Sequence, residues 1–128
     1  MKTQSFRNLQ VWQRSMALAR DIFRLTDAFP KSQLFGLTSQ MQRCAVSVPS
    51  NIAEGHGRMT DKSFSLFLSQ ARGSLNELET QVELALRLQF AKPDESRLIL
   101  QEITEVGKML NALLTAVRQR ERTPTASS

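Results

Sequence analysis

The stretch Leu34-Phe-Gly-Leu-Thr-Ser-Gln-Met-Gln-Arg-Cys-Ala-Val-Ser-Val-Pro-Ser-Asn-Ile-Ala-Glu-Gly55 carries two different stripes at helical spacing. At about 100° per residue, Leu37, Met41, Cys44, Ala45, Val48 and Ile52 share one side. Gln40, Arg43, Ser47, Ser50, Asn51, Glu54 and Arg58 form a second row beside it. A solvated row is ordinarily rich in Lys and Glu. This one is mostly amide and hydroxyl, the composition of a partly buried hydrogen-bonding seam. The reading is therefore an amphipathic helix with a polar seam at a contact. Pro49 lies inside it, removes one backbone donor and predicts a kink. Asn51 is expected to meet backbone groups there, and Arg43 and Glu54 to find charged or polar partners within an assembly.

The rest of the chain reads as three more helices. The first runs from about Leu9 to Ala28, closed by Phe29-Pro30. It carries two apolar stripes roughly 120° apart. Leu9, Trp12, Met16, Ala19 and Phe23 form one; Val11, Leu18, Ile22, Leu25 and Phe29 form the other. One stripe is enough for a bundle helix. The second is either part of a wide core-facing arc or a face for a neighbouring subunit, and the Trp12 ring is expected to be mostly buried. The second helix spans about Leu34 to Arg58, ended or weakened by Gly55-His56-Gly57. Thr60 to Ser63 supplies capping residues for a third helix reaching about Phe90. Its Phe64, Leu68, Ala71, Leu75, Leu78, Val82 and Leu86 follow a near-heptad spacing. The fourth runs from about Glu95 to Gln119, with Asp94 as N-cap. Short loops between long helices give an all-α, antiparallel up-down-up-down four-helix bundle over residues 1–121. Residues 122–128 read as a disordered tail.

Composition narrows the class. A chain of 128 residues with 5 Gly and 4 Pro and few strand-forming runs fits one helical domain. No apolar run is long enough to span a membrane. The first residues lack an apolar signal region, and a single Cys makes no internal disulfide, so the expected compartment is the cytoplasm. One His excludes a di-iron bundle built on two Glu-x-x-His motifs. No Cys/His spacing suits zinc. His56 reads as a turn residue and Cys44 as a small core apolar. No catalytic constellation, metal or cofactor is expected, and the protein reads as non-enzymatic.

The net charge is +5. Residues 1–64 hold nine Lys/Arg against four Asp/Glu, and residues 65–128 hold eight of each. Twelve of the seventeen basic residues are Arg, which suits bidentate contact with phosphate or carboxylate. Arg7, Arg14, Arg20, Arg24 and Lys31 are the candidate phosphate contacts, although they do not fall on one narrow stripe. Glu77, Glu79 and Glu83 read as ion-pair partners for Arg43, Arg58 or Arg72 across helices or subunits. Two functions follow: a nucleic-acid-associated oligomer, or a structural adaptor that binds a protein partner and whose basic surface is only solvated.

Specific motifs add to this reading. Gly36-Leu37-Thr38-Ser39-Gln40, Ser47-Val48-Pro49-Ser50-Asn51-Ile52-Ala53-Glu54-Gly55, Phe6-Arg7-Asn8-Leu9-Gln10-Val11-Trp12-Gln13 and Gly73-Ser74-Leu75-Asn76-Glu77-Leu78-Glu79-Thr80 resemble the bacterial four-helix bundles known as 23S rRNA intervening-sequence proteins. Cys44 departs from the Arg, Lys or Ala of that pattern. The resemblance implies a cytoplasmic, non-enzymatic homopentameric ring. The chain is also similar to the accessory protein of diversity-generating retroelements, which implies binding to RNA and to a reverse transcriptase; the wider expectation is RNA or DNA, and a reverse transcriptase or other nucleic-acid protein.

Overall fold

A computed structural model describes residues 5–122. A short 3-10 turn at Phe6–Asn8 leads into α1, Gln10–Asp27. Pro30 stands in the following connection with extended angles, as expected of the boundary that it sets. A 3-10 turn at Lys31–Gln33 and a π-helical turn at Leu34–Thr38 precede α2, Ser39–His56. Then come α3, Asp61–Arg87, and α4, Pro93–Arg122.

The chain is an all-α four-helix bundle. Cross-helix bonds give its directions. Cys44 meets Gln81 and Ser47 meets Ser74, so residue numbers rise along α2 as they fall along α3. Ser69 meets Arg118 and Asp61 meets Arg120, the same relation between α3 and α4. α3 therefore runs opposite to both α2 and α4.

Local chemistry explains the ends. The Thr60 side chain accepts the Ser63 N–H at 3.1 Å, a side-chain N-cap. At the start of α4 the sequence reading needs correcting. The helix begins at Pro93, two residues early, and Asp94 lies within the first turn, paired with Arg97 at 3.2 Å. Proline suits a first helical position because its missing N–H is unsatisfied there anyway. α4 continues to Arg122, three residues beyond expectation and one beyond the expected domain end; the predicted tail otherwise lies outside the described residues.

α2 runs continuously through Pro49. The departure from helical angles in this segment is at Gly36, with φ and ψ both −115°, within the π-helical turn. Gly55 also differs from its sequence reading. It is buried inside α2 rather than ending it. A Cβ added there would lie 2.7 Å from the Phe67 Cβ and 3.0 Å from the Phe64 ring, so glycine permits α2 and α3 to touch. Termination falls to Gly57, whose N–H reaches Ala53 and Glu54.

The core settles which α1 stripe faces inward. Val11, Leu18, Ile22, Leu25 and Phe29 are all buried, with Ile22 fully enclosed. They pack against Met41, Val48 and Ile52 of α2, Leu68, Leu78 and Val82 of α3, and Val106, Leu110 and Val117 of α4. In the other stripe only Ala19 is buried. Met16 is 45% and Phe23 43% exposed. Trp12 is partly buried and packed against the core, as expected of a mostly buried ring, and edge-on to Phe6 with ring centroids 5.2 Å apart.

Gly55→Ala is expected to lower stability by about 1–3 kcal/mol through overpacking at this crossing. Gly57→Ala, where a Cβ meets nothing closer than 3.6 Å, is expected to stay within about 0.5 kcal/mol. Denaturant melts of both variants test the assignment.

Candidate interaction surfaces

The predicted polar seam divides into two. Ser47 and Asn51 are half-buried where α2 meets α3. The Ser47 and Ser74 hydroxyls are 2.8 Å apart, and the Asn51 amide donates to the Ser47 carbonyl at 2.8 Å and its hydroxyl at 2.9 Å. That backbone contact, two residues from Pro49, is the one expected of Asn51. Gln40, Arg43, Ser50, Glu54 and Arg58 are exposed. Glu54 pairs with Arg58 at 2.7 Å, and the Arg58 guanidinium lies over the Phe67 ring at 4.8 Å. Arg43 is exposed and forms no ion pair among the described residues of the single chain.

Two α3 residues complete the seam and were not singled out in the sequence: Ser74, and Gln81, whose amide donates to Cys44 Sγ at 3.5 Å. Their signal was the seven-residue spacing of Ser74 and Gln81 beside the apolar heptad row of α3. Cys44 is half-buried against the core. Burial pushes its thiol above the ordinary cysteine value, and the Gln81 hydrogen bond offsets part of that shift. A raised thiol is protonated at neutral pH and a poor nucleophile. His56 is the last residue of α2, half-buried and edge-on to Phe64, rather than part of a free turn.

A second feature is an apolar cleft of about 490 Å³ between α1 and α2. Trp12, Met16 and Phe23 form one wall, and Val46, Pro49 and Ala53 the other. Phe6 and Ser50 line it too, and Arg20 stands on its α1 side. The unburied α1 stripe thus becomes one wall of a groove.

The five predicted phosphate contacts are not brought together. Arg7 sits in the first 3-10 turn with its guanidinium over Phe6 at 4.8 Å. Arg14 and Arg24 border depressions shared with α4, beside Glu102 and Glu105 in one case and Glu95 in the other. Arg20 lies 3.8 Å from Asp21. Lys31 is at the α1–α2 connection. All five are exposed. Glu77, Glu79 and Glu83 are exposed as well and form no ion pair among the described residues, since Arg58 is taken by Glu54 and Arg72 bonds Asn111. Among the described residues no group of three or more His, Cys, Asp or Glu side chains is placed to hold a metal ion, and no helix is long and apolar enough to cross a membrane.

The sequence profile described as 23S rRNA-intervening sequence protein matches residues 7–112. The chain belongs to the 23S rRNA-intervening sequence protein family. Among solved structures, this family member is similar to a protein of unknown function from the S23 ribosomal protein family of Bacteroides thetaiotaomicron. The identity is 25% and the TM-score 0.76, over 82% of this chain and 95% of that one. No curated protein matches. The matched span takes in both walls of the cleft and the Ser47–Ser74 joint, but ends before the last three arginines of α4.

Replacing Asn51 by Leu is expected to cost about 1–3 kcal/mol, because Ser47 and Ser74 would keep a half-buried hydroxyl pair with fewer partners. A thermal melt unchanged from the parent protein would place the seam among solvated surfaces.

Proposed function

We propose that this protein is a non-enzymatic homo-oligomer, a ring of five subunits, that binds RNA or DNA through a basic surface repeated in each copy. The exposed apolar wall of α1 carries the reading. Met16 and Phe23, each more than two-fifths exposed, together with Trp12 and Val46, leave a continuous apolar groove on an otherwise well-packed bundle. Such a patch marks an interaction site. The same chain offers a complement. One face of α3 exposes Leu66 and Leu84 together with the carboxylate Glu77, and Arg20 stands on the groove rim. Groove against ridge is a heterologous contact, which closes into a ring when the rotation permits.

A ring multiplies the basic residues. Arg7, Arg14, Arg20, Arg24 and Lys31 make weak contacts singly, and repetition turns weak phosphate contacts into a multivalent surface. The groove also admits a helix of another protein, which is the adaptor reading. Light scattering separates the two at the first step. A mass of five times the 14.5 kDa chain is expected, and Phe23→Glu is expected to give monomers that keep their helical content. A parent protein that is monomeric at micromolar concentration overturns the assembly.

Titration with labelled RNA and DNA near 50 mM and 200 mM salt tests the second step, with a steep loss of affinity expected at the higher salt. An assembled protein that binds neither at the lower salt favours the adaptor.

A further inference from the structure

Charge in this bundle is sorted by pole, which the linear sequence conceals. The Ser47–Ser74 bond, and the Leu75 side chain that a Cβ on Gly107 would meet at 3.5 Å, mark the middle of α2, α3 and α4. A plane at that level divides the described chain in two. One pole is built from residues 5–17, 48–74 and 108–122: the start of α1, the end of α2, the start of α3 and the end of α4. It holds nine Lys/Arg and three Asp/Glu, a net of +6. The opposite pole, residues 18–47 and 75–107, holds seven Lys/Arg and nine Asp/Glu, a net of −2.

The three acids of the basic pole are already engaged. Glu54 pairs with Arg58, Asp61 with Arg120, and Glu121 accepts from the Ser65 hydroxyl. Arg7, Lys62 and Arg122 are exposed, come from three separate elements and form no ion pair among the described residues. The Arg7 and Arg58 guanidinium carbons each lie 4.8 Å from the centroid of a phenylalanine ring, a cation–π distance.

We infer that this pole, and not the α1 flank as a whole, is where the nucleic-acid phosphate backbone docks. The inference rests on the nucleic-acid reading above and adds the place and orientation of binding. A polyanion approaching the other pole meets the exposed Glu77, Glu79 and Glu83 instead. Arginine-dominated charge suits phosphate oxygens that recur along a strand. The chain segments that build the pole are far apart in sequence, so the site exists only in the folded bundle.

The test compares two variants of equal charge change in the full chain. One is Arg7→Glu, Lys62→Glu and Arg122→Glu at the basic pole. The other is Arg87→Glu, Lys92→Glu and Arg97→Glu at the opposite pole. Both are titrated with labelled RNA and DNA between about 50 and 200 mM salt. The first is expected to lower affinity at least about 100-fold and to flatten the salt dependence by roughly two to three units, as three phosphate contacts are lost. The second is expected to change affinity less than about five-fold. Should the first variant melt early, Arg7→Gln, Lys62→Gln and Arg122→Gln replaces it, with a loss of at least about ten-fold expected. Equal losses at the two poles, or a larger loss at the second, overturn the inference while leaving nucleic-acid binding intact. A parent protein that binds neither nucleic acid overturns both.

Discussion

The close crossing of α2 and α3 constrains everything else in this bundle. Gly55 has no room for a Cβ against Phe67 and Phe64, and Ala45 and Ala71 are both fully buried on the two helices. Small residues let the backbones approach, and close approach brings Ser47 within hydrogen-bond distance of Ser74. Once α2 is fixed on α3, Met41, Val48 and Ile52 face inward, and the remaining two helices must cover what is left of that apolar surface. The polar seam belongs to this joint. Its hydroxyls and amides are satisfied by one another, as groups removed from water need to be.

α1 is the helix that this arrangement leaves with surplus. A four-helix core takes one stripe from each member, and the Val11–Phe29 stripe meets that need. The Leu9–Phe23 stripe is then turned about a third of a turn away, beside α2 rather than under it. Only Ala19, the smallest member, fits below the surface. The cleft of Trp12, Met16, Phe23, Val46, Pro49 and Ala53 is thus a consequence of core geometry.

The same folding sorts charge. Antiparallel helices bring the start of α1, the turn between α2 and α3 and the end of α4 to one end. The basic excess of the first half of the chain is thereby divided between poles, and the arginines that end α4 join Arg7 and Lys62. Reading charge by sequence halves therefore located the excess in the wrong coordinate: along the chain instead of along the bundle axis.

Fold class, helix number and most helix ends were legible in the residues, because 3.6-residue periodicity, Thr60 as a cap and Pro30 as a stop act within a few neighbours. The family, too, was legible in short motifs such as Ser47–Gly55. The start of α4 was misread because a proline can open a helix as readily as it ends one. Gly55 was misread because its reason lies in Phe67 on another helix. Which α1 stripe is buried, which α3 residues complete the seam and which cations share a pole were decided only by the tertiary structure. Each depends on the relative rotation and direction of helices distant in sequence. The amino-acid order determined what each helix could offer, and packing decided which offer the core accepted and which remained on the surface.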